Sequence, residues 1–464
     1  MTNKRMDWKK LLCKDKLFPS SIRVNDDNDR SEFERDLNKI TFSPFFRNLQ
    51  NKTQLFPKPE SAFIHSRLTH SLEVSSVGRS IANLVAKKII ANKLEDSLPE
   101  NFSRDLSDIV GAACLLHDVG NPPFGHSGED AISSFFKENS LVLSNLMDQN
   151  LVEQLSHFDG NAQVVRIIRT SHNLNVTLAT IASVIKYPTV FNLNSVYKAK
   201  HSIFNSELGV LKRVVEYCGL IKLESQEYCR HPLVFLVEAA DDICYKLLDL
   251  EDAHKIGLIS FNDAYNLLIE IIIKKNKDAQ FIQDTLKNLT IVDKFAKIRS
   301  YALNILIGEV VDKFIYYYED IMTGDYTRMI QNHKLLGLID LLILEDTPLS
   351  SSLKEIAKYV ANHAYSYQPL LEIELAGYEI LNYLLDQFTF ATLEENQNSK
   401  RSVKLLKLLP ERYESDSDDP GERLMQATDY ISGLTDKMAL SLYRKLKGID
   451  LADLPSANIP IFHG

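Results

Sequence analysis

Long apolar runs are missing from this chain. No stretch reaches the roughly 18–20 apolar residues that a bilayer-spanning helix needs, so no membrane span is expected. LLGLIDLLIL, near residue 340, is too short and reads as a buried helix. Cysteine is scarce as well: Cys13, Cys114, Cys218, Cys229 and Cys244 are scattered, and none forms a CxxC pair. That spacing offers no cysteine metal or redox motif and fits a reduced, cytoplasmic compartment. There is no basic excess. Lys+Arg number 53 against 62 Asp+Glu, a net charge of -9, which speaks against a general nucleic-acid coat but leaves room for a local basic pocket. The opening MTNKRMDWKKLLCKDK has no apolar core behind it and does not read as a signal peptide. Sustained alternating strands, fixed-period repeats and low-complexity tracts are also missing.

What is present is helical periodicity over a chain of 464 residues, 45% hydrophobic and 25% charged, enough for a large core. Residues 67–90 read as a long helix with Leu72, Val77, Ile81, Leu84, Val85 and Ile89 inward. Further helices are expected over 106–117, from 127, within 174–187 up to Pro188, over 232–249, and in succession from 253 to about 400. SDSDDPG at 415–421 is a loop, followed by a last helix pair. The expected class is all-α. Residues 1–30 read as an N-terminal arm, 31–257 as the main helical domain, and 258–464 as a C-terminal helical region packed on it, or continuous with it.

The chemistry concentrates in LLHDVGNPPFGHSGED, residues 115–130. His117 and Asp118 are adjacent at the end of the 106–117 helix. Gly120 is expected in the left-handed conformation, and Pro122 and Pro123 stop the helix. Imidazole and carboxylate aimed at one point suit a divalent transition metal or Mg²⁺. Ser127 reads as an N-cap, with Glu129 and Asp130 in the first turn. His126 then stands just before a helix N-terminus, where amide groups attract phosphate.

Companions lie far away in the chain. His70, in SRLTHSLEV, stands near the start of the long helix; taken singly, it reads as a solvent-facing histidine. EAADDICYKLLDLED puts Asp241 and Asp242 in an otherwise apolar helix, where carboxylates are costly to bury unless paired or metal-bound. Asp241, Tyr245 and Asp249 follow an i, i+4, i+8 pattern and share one face, while Asp242 points about 100° away. Asp241 is therefore the expected ligand.

Together these pieces resemble the dGTPase-like deoxynucleoside triphosphate triphosphohydrolases of the HD superfamily. The matching stretches are FSPFFRNLQNKTQLFP, SRLTHSLEVSSVGRSIA, LLHDVGNPPFGHSGEDAI, FDGNAQVVRII, IKYP, VEAADDICY with DLEDA, and ATDYISGLTDKMALSLYRKL, in the family's order. Residues 258–410 carry no matching motif. The resemblance implies an HD-domain helical fold in which 31–257 is catalytic. It implies metal ligation by His70, His117, Asp118 and Asp241, with Mn²⁺ or Mg²⁺ or another transition metal as the ion. It implies a catalytic pair, His126 with Glu129. Gln54, Tyr245 and Asp249 would hold the deoxyribose, and Asn161 would be a polar pocket residue. Arg67, Lys186, Lys200 and Arg423 would meet the phosphates.

The implied reaction cleaves a dNTP, dGTP foremost, to deoxynucleoside and triphosphate. A substrate with about four negative charges needs local compensation on an acidic protein, which the cations and the ion would supply. Tyr245 against C2′ would exclude a ribose hydroxyl by lack of room. Homo-oligomers of tetrameric or hexameric type, dNTP effectors and, in some relatives, single-stranded DNA binding come with the resemblance. The alternatives are another HD-type phosphohydrolase, acting on a monophosphate, a cyclic nucleotide or an alarmone, and a non-catalytic nucleotide-sensing or nucleic-acid-binding HD protein.

Overall fold

In a computed structural model of the chain, the described residues are 5–19, 30–56, 64–195, 197, 200–223, 227–276, 286–329, 337–345, 347–393, 399–414 and 417–450. Among them the regular structure is helical, and strand-like pairing is limited to isolated bridges such as Thr53 with Ser66. The all-α expectation holds. No described helix is long and apolar enough to cross a membrane. Two compact units are distinguished: residues 1–121 with 159–371, and residues 122–158 with 372–464.

The first unit is built on an antiparallel pair, Arg67–Ala91 and Phe102–Leu116. A capping box starts the long helix: the Ser66 hydroxyl accepts from the Thr69 N–H at 3.3 Å, and the Thr69 hydroxyl accepts from the Ser66 N–H at 2.9 Å. Its buried stripe follows residues 70, 74, 77, 81, 85 and 89. Leu72 and Leu84, expected inward, fall off that stripe and are 46% and 39% exposed. The two helices come close because Gly78 has no side chain; a Cβ there would meet Cys114 Sγ at 2.6 Å. Ser75 Oγ donates to the Gly111 carbonyl at 2.9 Å across the same crossing. Val234–Lys255 packs on Arg67–Ala91 and continues past the expected end at 249. Ile291–Tyr316 packs against both.

Residues 5–19 are no arm. Met6, Trp8, Leu11 and Leu12 are buried, and Trp8 Nε1 donates to Tyr318 Oη at 2.7 Å. The polar look of this stretch comes from Lys9, Lys10 and Lys14, which face solvent while the apolar residues between them turn inward. The LLGLIDLLIL expectation is met for its described part: Leu338–Leu344 is a helix with Leu338, Ile339 and Leu342 buried.

The second unit contains Gly125–Glu138, Gln149–Leu155, Pro420–Gly433 and Asp436–Leu446. Its first helix buries Ala131, Ile132, Phe135 and Phe136. That helix begins two residues before the expected Ser127 cap. Phe124 is the N-cap, in the left-handed region at φ 62°, and its N–H donates to Asp436 Oδ1 at 3.0 Å. His126 accordingly lies inside the first turn rather than before it.

Candidate metal centre

Three helices of the first unit bring His70, His117 and Asp241 together. One ligand atom from each lies within 4.8 Å of the others, and this is the His/Cys/Asp/Glu group with such spacing among the described residues. His70 is the fourth residue of the long helix, where it is 2% exposed, and its Nε2 stands 3.0 Å from Asp241 Oδ1. His117 caps the end of Phe102–Leu116. Its Nδ1 is 2.6 Å from the Cys114 carbonyl, which leaves Nε2 to face the cluster, 3.5 Å from both Asp241 Oδ1 and Asp118 Oδ2.

Asp118 adjoins the group through His117. Its Oδ1 accepts from Arg67 Nη1 at 3.0 Å and from the Asn121 amide. Its Oδ2 and His117 Nε2 are both buried without a hydrogen bond among the described residues. Buried polar atoms left in this way are the signature of a missing partner. Two imidazoles and two carboxylates form a donor set that suits a divalent ion.

The charges agree with that use. Burial works against ionising Asp241, but His117 and His70 hold its carboxyl well below the usual carboxylate range. Burial likewise disfavours the Asp118 carboxylate; Arg67 and the two histidines more than offset it, and its pKa is lowered. For His117 burial favours the neutral ring, yet Asp118 and Asp241 raise it to about 9.

Gly120 is not left-handed, contrary to expectation. It is required for a different reason: a Cβ there would lie 2.1 Å from the Gly160 carbonyl oxygen and 2.6 Å from Val164 N. The loop after His117–Asp118 is pressed against the start of Gly160–Thr170. That helix begins at Gly160 because Asp159 caps it, accepting from the Asn161 N–H at 2.9 Å and from its side-chain amide at 2.7 Å. Lys200 Nζ lies 3.7 Å from the same carboxylate.

A second grouping follows the Asp241 face along the helix. Tyr365 Oη donates to Asp249 Oδ2 at 2.8 Å and hydrogen-bonds with Tyr245 Oη, and the two tyrosine rings are 6.2 Å apart. Burial pushes the Asp249 carboxyl up to about 7 even with that hydrogen bond. Tyr365 was not among the expected residues. It ends the Ala361–Tyr365 turn in the stretch without motifs, and nothing local distinguishes it from a core tyrosine. Gln54 follows Thr53, which bridges to Ser66; its Oε1 is buried without a partner among the described residues.

The remaining expected residues have partners of their own. Lys186 pairs with Glu238 at 3.1 Å, and Glu238 also accepts from the fully buried Arg230 at 2.9 Å. The His126–Glu129 pair, 2.9 Å between Nδ1 and Oε2, belongs to the second unit, where the His126 side chain is 89% exposed. Arg423 is in that unit too, with its guanidinium donating to the carbonyls of Thr392 at 3.1 Å and Ser417 at 2.8 Å.

An all-helical fold with an adjacent His–Asp pair at a helix end is the pattern of the HD-domain class, and the HD domain family model matches residues 67–201. The match opens at Arg67 and takes in His70, His117 and Asp118, but not Asp241. Over nearly the full chain, similarity extends to a Deoxyguanosinetriphosphate triphosphohydrolase-like protein of Synechocystis sp., 34% identical over 96% of this chain and all of the relative. A protein of the same name from Pseudomonas aeruginosa is 33% identical over 96% of this chain and 99% of its own. The Deoxyguanosinetriphosphate triphosphohydrolase of Salmonella paratyphi A is 31% identical over 90% and 94% respectively. The chain belongs to the deoxyguanosinetriphosphate triphosphohydrolase-like family of HD-domain proteins.

Proposed function

We propose that this protein is a metal-dependent dNTP triphosphohydrolase that cleaves dGTP, or several dNTPs, to deoxynucleoside and intact triphosphate. The observation that carries this is the cluster of His70, His117 and Asp241, with Asp118 held beside it by Arg67 and two buried ligand atoms left without a hydrogen bond among the described residues. His70, His117, Asp118 and Asp241 would hold the ion, Mn²⁺ or Mg²⁺. When bound, it supplies positive charge at the α-phosphate and acidifies water.

The protein's own groups do the rest. Arg67 orients Asp118 and presents its remaining donors to phosphate. Asn161, at a helix N-terminus, stands where amide N–H groups favour an anion. Lys186, Lys200 and Arg423 add positive charge toward the triphosphate. Gln54 Oε1 accepts from the 3′-hydroxyl, the Asp249 carboxyl bonds to the same group, and Tyr245 covers the C2′ side. Water attacks the α-phosphorus, the bond to the 5′-oxygen breaks, and His126 delivers a proton to that oxygen. Glu129, 2.9 Å from His126 Nδ1, orients the ring and favours its protonated form.

The test resolves products. Incubation with each dNTP and Mn²⁺, with GTP as control, should release triphosphate and deoxynucleoside. Orthophosphate or a nucleoside monophosphate as the product would refute the assignment. His126→Ala should lose turnover about 10²–10⁴-fold while Mn²⁺ binding is kept.

A further inference from the structure

The stretch before the long helix carries a histidine that the proposed chemistry does not use. His65 Nδ1 is 2.7 Å from Asp252 Oδ1, the His65 backbone N–H donates to Asp252 Oδ2 at 3.1 Å, and Nε2 lies 3.2 Å from Glu73 Oε2. Side-chain exposure is 10% for His65 and 2% for Asp252. One ring is thus clamped between carboxylates from two helices, Val234–Lys255 and Arg67–Ala91.

Asp252 lies eleven residues after Asp241. That is three turns, about 16 Å along the axis, and within about 20° of the same face. His70–Asp241 ties the two helices at one end of this face and His65–Asp252 ties them at the other. Between the ties stand Tyr245 and Asp249, held by Tyr365.

We propose that His65 is a positioning residue: clamped to Asp252 and Glu73, it sets the spacing between the start of the Arg67–Ala91 helix and the Tyr245–Asp249 face, and so the fit of the deoxyribose. This rests on the proposed function for the identity of the sugar. The geometry of the clamp does not. Nδ1 hydrogen-bonds Asp252 and Nε2 lies at ion-pair distance from Glu73, so a carboxylate faces each ring nitrogen and the pair favours the imidazolium. Burial lowers its pKa, but Asp252 and Glu73 raise it to about 10. Asp252 and Glu73 are the charged groups at its two nitrogens; Arg299, on the adjoining Ile291–Tyr316 helix, pairs with Glu251.

The experiment has two arms. In kinetics, His65→Gln should raise KM for dGTP about tenfold, leave kcat within about threefold, and leave Mn²⁺ affinity unchanged. Asp252→Asn should bring a new alkaline fall in kcat/KM near neutral pH, which the wild type lacks there. An unchanged KM in folded His65→Gln, or a parallel loss of kcat and metal affinity with it, overturns the positioning role. In the second arm, protein labelled with ¹³C-histidine is titrated by NMR. The His65 ring should stay protonated through pH 9 in the wild type and titrate near neutrality in Asp252→Asn. Wild-type titration near the ordinary histidine value overturns the clamp. A wild type that cleaves no dNTP while its His65 stays protonated refutes the functional reading and the sugar role, and leaves the clamp standing.

Discussion

His117 uses its two nitrogens differently. Nδ1 is spent on the Cys114 carbonyl, so the ring cannot turn and Nε2 is held toward Asp241 and Asp118. Such an outer hydrogen bond fixes the tautomer of a histidine ligand. Tyr365 acts in a comparable way on the neighbouring wall, its one hydroxyl meeting both Tyr245 and Asp249. Tyr365→Phe leaves Asp249, 3% exposed, without that donor. The expected outcome is a loss of about tenfold in kcat/KM for dGTP, as for a lost hydrogen bond of about 1.4 kcal/mol; steady-state kinetics on the two proteins checks it. Helical spacing was enough to separate Asp241 from Asp242. Asp241 faces His70, whereas Asp242 lies beside Gly337, where a Cβ would come within 3.2 Å of its Oδ2. Tyr365 could not be found in that way, because its partners are more than a hundred residues distant.

Elements meet here through a few close approaches. Gly120 lets the loop after Asp118 lie on the first turn of Gly160–Thr170, and both of the nearest atoms are backbone, which cannot move aside. Gly120→Ala should destabilise the protein by about 3 kcal/mol, the upper end of ordinary overpacking, and weaken Mn²⁺ binding; urea unfolding and metal titration read both. His231 joins two other elements: its Nε2 contacts the Leu11 carbonyl at 3.1 Å and its Nδ1 accepts from the Leu233 N–H at 3.2 Å. Burial lowers its pKa from 6.5 to about 4, opposed only by the Leu11 contact. The unfolded chain takes up this proton near pH 6.5 and the folded chain only near 4. Its stabilisation is therefore full above pH 6.5 and is lost as pH falls toward 4, up to about 3 kcal/mol. Unfolding free energies at pH 7.5 and 4.5 should differ less in His231→Gln than in the wild type. Periodicity exposed most of these helices in advance. Their ends were harder to read: Phe124, an aromatic residue in a left-handed conformation, has no capping signature in sequence, whereas Ser127 does.

At the scale of the molecule, the chain passes from one compact unit to the other at 121/122, back at 158/159, and again at 371/372, so neither unit is one continuous stretch. Motif coverage drew a line at 257 instead, since motifs follow chemistry and compactness follows packing. The N-terminal segment belongs to the first unit's core. Trp8→Ala should cost about 3–5 kcal/mol, with the Tyr318 hydroxyl losing its indole donor; a lowered thermal midpoint at unchanged product identity is the expected result. The sequence by itself determined the helical class, the family, and which histidines and aspartates are eligible for one cation, because helical spacing and short motifs are local properties. Only the tertiary structure decided that His70, His117 and Asp241 converge, that Tyr365 joins Tyr245 and Asp249, and that Lys186 is balanced by Glu238. Those pairings join residues far apart along the chain, and burial, which no local pattern specifies, sets their charges.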